Sequence, residues 1–204
     1  MIKVRIFAVL SFVAVLGVAW IALDPYPVLA AAFMPAEECF DLILQGEAPL
    51  LPGMTFSSPS EELLVAANKA IATWAVYTGP IFGEGEVDPN SASEHDGINS
   101  ITIGQVEPGY AAWTYVWVKT YADGSKKVVE WDVVLNAEST WGDAYENSFV
   151  TDLQGILTHE LGHALGLGHP KGTCLLNTMV DTYSNSYRYL GEGDIAGIEF
   201  LYNN

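Results

Sequence analysis

Three of the four histidines of this chain fall within eleven residues, His159-Glu160-Leu161-Gly162-His163-Ala164-Leu165-Gly166-Leu167-Gly168-His169. On a helix, His159 and His163 lie on one face, one turn apart, so their imidazoles can share a metal ion. A straight helix would carry the chain away from that ion. Gly166 can take a positive φ, end the helix and fold the chain back, which lets His169 supply a third nitrogen. Three protein nitrogens leave the fourth position of a zinc ion open, as a catalytic site requires. Glu160 sits beside the first ligand, within reach of a metal-bound water. The chemistry this predicts is zinc-assisted hydrolysis. The water is acidified toward a pKa of ~7, and Glu160 takes its proton as general base and returns it to the leaving group as general acid. A bare His-x-x-x-His pair is often only a surface feature. The five fixed positions of the longer pattern argue for a site.

The elements that must position these residues can be read from periodicity. Leu153, Ile156, Leu157, Leu161, Ala164 and Leu165 form an apolar helical face, and Thr151 with Gln154 makes a capping box. An earlier helix is predicted from Ser60 to Tyr77, capped by Ser60 and stopped by Gly79-Pro80. Residues 83–97, acidic and rich in Gly, Asn and Ser, read as a loop. Ile98 to Ile103, Ala111 to Tyr121 and Lys127 to Leu135 read as strands, with a hairpin turn at Asp123-Gly124. A last helix is predicted over about Glu192 to Tyr202. Helices flank a strand cluster without βαβ alternation, so the expected class is α+β. There is no internal repeat.

Composition sets the setting. With 204 residues, half of them apolar, the chain fits one domain with a sizeable core. Asp and Glu number 25 against 8 Lys and Arg, a surface that repels phosphate backbones and argues against nucleic-acid binding. Calcium is compatible with so many carboxylates, but no EF-hand loop occurs and no calcium ligand is assigned. Residues 1–32 resemble a targeting segment. Lys3 and Arg5 precede an uncharged run from Ile6 to Leu23, Pro25 and Pro27 break it, and Ala30-Ala31-Ala32 offers a cleavage site. The segment is either a cleaved signal peptide or an uncleaved N-terminal membrane anchor, and both place the remainder outside the cytoplasm. Residues 33–55 then form a lead-in or short pro-segment, and 56–204 the catalytic domain. Cys39 and Cys174 form no C-x-x-C pair, and in an oxidising compartment a single disulfide between them is the plain reading.

The zinc stretch resembles that of the metzincin metallopeptidases, and the rest of the chain is most similar to matrixins of the short bacterial type. Asn177-Thr178-Met179 resembles the family's Met-turn. Leu190 to Tyr202, LGEGDIAGIEFLY, is similar to its C-terminal helix, and residues 96–104 and 129–136 to its sheet strands. The resemblance implies a twisted, mostly parallel sheet with an antiparallel edge strand, an active-site helix and a C-terminal helix. It implies a secreted zinc endopeptidase acting on protein or peptide, with Met179 as a floor beneath the zinc imidazoles. It further implies a substrate held extended along an edge strand, here Ala111 to Val118, where Trp113, Tyr115 and Trp117 share a face. Ordinary packing is the plainer reading of those three rings.

The chain departs from the family in several places. Pro170 follows the third histidine, as in the serralysin branch. Val180-Asp181 follows Met179, and Tyr183 is the nearby tyrosine that could serve the transition state. Animal matrixins hold a second, structural zinc with three further histidines. His95 is the one histidine left here, so one zinc per chain is expected and His95 reads as a solvated loop residue. The family's pro-segment motif Pro-Arg-Cys-Gly is absent, and the lead-in reads Glu37-Glu38-Cys39-Phe40-Asp41. Against the disulfide, therefore, stand two weaker readings, a latency switch with Cys39 on the zinc, or Asp41 capping the metal. Two other functions are kept beside the endopeptidase: an inactive binding module on the same fold, and a zinc hydrolase of a non-peptide amide. Glu160 argues against the first.

Overall fold

The fold is known from a computed structural model, which describes residues 2–9, 35–43, 48–171, 174, 176–181 and 185–202. Tyr183 and most of the apolar N-terminal run lie outside the described residues. Strand β1 is Ile2–Val9, β2 Asp41–Leu42, β3 Met54–Ser58, β4 Phe82–Val87, β5 Asn99–Gly104, β6 Tyr110–Thr120 and β7 Lys126–Asn136. The short strands β8 (Trp141–Gly142), β9 (Thr151–Asp152) and β10 (Leu167–Gly168) follow. The helices are α1 (Glu61–Thr78), α2 (Leu153–Ala164) and α3 (Glu192–Tyr202). The main sheet runs β1-β6-β7-β5-β3-β4. Its β7, β5, β3 and β4 are parallel, and β6 is antiparallel to β7, so the architecture is the expected α+β, mostly parallel sheet.

Local sequence explains most elements. Ser60 accepts from the Leu63 amide and caps α1, whose buried face is Leu63, Leu64, Ala67, Ala70 and Trp74. The turn after β6 is closed by Gly124, at φ 86°, and by Asp123, which accepts from the Ser125 amide and hydroxyl. On β7, Trp131, Val133 and Leu135 enter the helix-side core. The opposite face carries Glu130 and Asp132, which are roofed by the preceding loop. The Asp96 and Gly97 amides donate to Glu130, and the Ser100 hydroxyl to Asp132 at 2.8 Å.

Three expectations need correction. Residues 82–87 are strand β4, not loop. Glycine lowers strand propensity and hid it, yet a Cβ at Gly85 would strike the Phe56 ring and Leu64. The cap of α2 is Asp152, whose side chain accepts from the Gly155 amide, rather than Thr151. Strand β6 is not the sheet's edge in the full chain, because Ile2–Val9 pairs antiparallel along its free side, from Ile2 opposite Val118 to Val9 opposite Tyr110. The first residues of the apolar leader are thus extended. Among the described residues no helix is long and apolar enough to cross a membrane.

The lead-in is bonded into the C-terminal half. Cys39 and Cys174 form a disulfide. Strand β2 pairs antiparallel with β10, Leu42 opposite Leu167 and Asp41 opposite Gly168. The Asn177 side chain donates to the Cys39 carbonyl at 2.9 Å, and Phe40 packs against Phe200 of α3. A side chain at Gly193 would overlap the Cys39 carbonyl, so α3 is shaped to receive this strap.

Candidate metal centre and active site

The histidines come from two kinds of support. His159 and His163 are fully buried on α2, one turn apart, and α1 braces that helix through the Trp74 indole N–H, which donates to the Thr158 carbonyl at 2.8 Å. The helix ends at Leu165. Gly166 then takes φ 108°, and a Cβ there would meet the Ala48 carbonyl, so glycine is required twice over. The chain doubles back through β10 and brings His169 to the other two. Its Nε2 lies 3.0 Å from His159 Nε2 and 3.1 Å from His163 Nε2.

The tautomers follow from the partners. His159 Nδ1 lies 2.6 Å from the Thr178 carbonyl, and His163 Nδ1 lies 2.8 Å from the Leu167 carbonyl. A carbonyl only accepts, so both Nδ1 atoms carry the hydrogen and both Nε2 atoms are bare lone pairs. Burial drives the pKa of His159 down to about 3 and that of His163 well below the usual range. It lowers His169 as well. His159 and His163 thus turn bare Nε2 lone pairs toward His169 Nε2, an arrangement that a shared cation would satisfy. The spacings are close to the ~3.3 Å expected between nitrogens of a tetrahedral zinc with Zn–N of ~2.0–2.1 Å. His159, His163 and His169 therefore fit a metal ion.

Around them, a second layer fixes orientation. Met179, 2 % exposed, packs beneath α2, and a Cβ at Gly162 would overlap its sulfur. Asp194, in the first turn of α3, accepts from the Thr178, Met179 and Gly191 amides. It thereby holds the turn whose carbonyl orients His159, and its own burial lifts its pKa to about 6. Tyr187 stacks on His159 at 5.5 Å and clusters with Cys39, Cys174 and Val180. Arg188 joins Asp143 to Asp152, the cap of α2, and lies over the Tyr145 ring. Glu160 is fully buried on α2, and burial lifts its pKa to about 8 against the lowering effect of a hydrogen bond from Thr114.

Other residues singled out from sequence fall elsewhere. Cys39 is oxidised and so is not a metal thiolate. Asp41 accepts from the Leu42 amide and sits 3.8 Å from Lys171 instead of capping a metal. His95 is not simply solvated, since it stacks on Trp117 at 5.1 Å and lies 3.5 Å from Glu130. Trp113, Tyr115 and Trp117 do share a face, with neighbouring rings 6.1 and 6.3 Å apart. Trp113 and Trp117 are buried, which suits packing. Thr114, Asp194 and the Arg188 pair were missed. The signals were faint: a lone hydroxyl on the apolar face Ala112-Thr114-Val116, and acidic residues at the starts of two helices.

Residues 116–203 match the matrixin peptidase family model. This stretch is matrixin-like. It begins within β6 and carries β7, α2 with His159 and His163, the following turn with His169, the Asn177–Met179 turn and α3, while α1 and β3–β5 lie outside it. No curated protein matches the chain. The likeness is to metallopeptidases, and the matrixin-like stretch contains the one cluster among the described residues that could hold a metal ion.

Proposed function

We propose that the chain is a zinc-dependent endopeptidase, with His159, His163 and His169 as the metal ligands and Glu160 as general base and acid. The observation that carries this reading is the convergence of three neutral imidazole nitrogens on the helix turn that also buries Glu160. Zinc bound there supplies Lewis acidity toward a carbonyl oxygen and a water with a pKa near ~7. The chain's own residues do the rest. The two carbonyl-bonded Nδ1 atoms keep the nitrogen donors aimed. Glu160 accepts the water's proton and delivers it to the leaving amine.

An extended substrate favours a peptide over a small amide. The free side of β6 accepts an antiparallel strand, since β1 pairs there, and strand addition is a common mode of peptide recognition. On this reading Ile2–Val9 must leave before substrate enters. Residues 1–32 act as an export signal, and the secreted domain keeps the Cys39 strap. The deciding experiment incubates protein recovered from an oxidising compartment with a denatured protein, before and after chelation. Cleavage that stops on chelation and returns with one zinc per chain is expected. Zinc binding without cleavage of any polypeptide would favour the binding module or the non-peptide hydrolase.

A further inference from the structure

The two carboxylate oxygens of Glu160 have different surroundings. Oε2 accepts from the Thr114 hydroxyl at 2.5 Å. Oε1 is buried, with no hydrogen-bond partner among the described residues. Buried polar atoms are otherwise almost always matched, and the exceptions gather where an atom has a task. Thr114 is itself fully buried, on the face of β6 turned toward α2, and its hydroxyl also lies 3.2 Å from the Glu160 carbonyl. The hydroxyl therefore sits wedged between strand and helix.

We propose that Thr114 is a positioning residue for Glu160. It latches the carboxylate by Oε2 and leaves Oε1 as the oxygen that handles the proton. The terminal torsion of a glutamate is broad and two-fold, so without a latch the two oxygens exchange freely and neither is held in place. In the step this serves, an O–H bond of water breaks and its proton moves to Oε1 while the water oxygen bonds to the peptide carbon and the C=O π pair moves onto the carbonyl oxygen, to return when the C–N bond breaks. Oε1 then returns the proton to the amine nitrogen as the C–N bond breaks. Strand β6, whose outer side would take the substrate once Ile2–Val9 leaves it, thus also orients the base from its inner face.

This inference rests on the endopeptidase reading, and the test separates the two. Thr114→Val removes the hydroxyl but keeps shape and β-branching, Thr114→Ser restores the hydroxyl, and Thr114→Ala stands in if valine disturbs folding. Each is made in the full chain, with kcat, KM, zinc content and melting temperature measured on one peptide. The valine or alanine variant is expected to lose about tenfold to a hundredfold in kcat, with KM changed less than about twofold and zinc retained. Serine should recover most of the parental kcat. Parental kcat in the valine and alanine variants, or a serine variant as slow as valine, would overturn the latch. A parent chain that cleaves no peptide would instead overturn the endopeptidase reading.

Discussion

The ligands of the candidate centre are held in two contrasting ways. His159 and His163 ride on a buried helix that is capped by Asp152, braced by Trp74 and packed over Met179. Their order is set by short-range helical geometry. His169 rides on a turn whose backbone is held from behind by β2, by the Cys39–Cys174 disulfide and by the bond from Asn177 to Cys39. The strap that backs this turn is tied to the C-terminal half by a disulfide whose cysteines stand 135 residues apart in sequence. The helix positions two candidate ligands at little cost in chain entropy, whereas the third is secured by closing a long loop. The lead-in therefore helps to hold the third arm of the candidate centre.

The largest effect expected from this contrast is on the third arm. Replacing both cysteines by alanine should lower stability by roughly 4–5 kcal/mol on the loop-entropy estimate. Zinc affinity should fall about 10–100-fold through loss of second-layer support. Chemical denaturation and chelator competition read the two quantities. Unchanged zinc affinity would show that β2 alone suffices to place His169.

Gly162→Ala probes the helix-borne pair. The new methyl would overlap the Met179 sulfur and crowd Trp74, so a destabilisation of about 1–3 kcal/mol is expected. Denaturant midpoints check it, and an unchanged midpoint would mean that Met179 is free to move aside.

A control lies away from both arms. Burial raises the Asp132 pKa to about 7, the Ser100 hydrogen bond opposing. A raised folded-state pKa gives a stability contribution that is full below the ordinary value near 4 and is lost as pH rises through about 7. The parent should therefore lose roughly 1–3 kcal/mol between pH 5 and 8 relative to Asp132→Asn, with zinc affinity at fixed pH unaltered. Equal pH dependence in both proteins would contradict the assignment.

The same contrast marks what was legible in the sequence. The helix-borne pair, Glu160 and the turn at Gly166 follow from spacing, because a helix converts sequence intervals directly into positions. The C-terminal helix was legible for the same reason, and the hairpin through its Asp123-Gly124 turn. Strand β4 was not, because its glycines serve contacts with Phe56 and Leu64 that sequence does not reveal. The bonds from Thr114 to Glu160 and from the Thr178 amide to Asp194 join residues on different elements and leave no periodic trace. The disulfide was readable only because the chain has two cysteines, and strand β2 was not readable at all. The start of the leader alternates apolar and charged residues from Ile2 to Ile6, but its charges read as the positive flank of a targeting segment, so the extended pairing with β6 was not anticipated.

The most direct test of the central claim is Glu160→Gln, measured for zinc content and cleavage rate together. The amide keeps the shape of the side chain but cannot take up the water's proton. One zinc per chain, as in the parent, and a rate lower by at least about 10²-fold are expected. A variant that retains its zinc and still cleaves near the parental rate would contradict it.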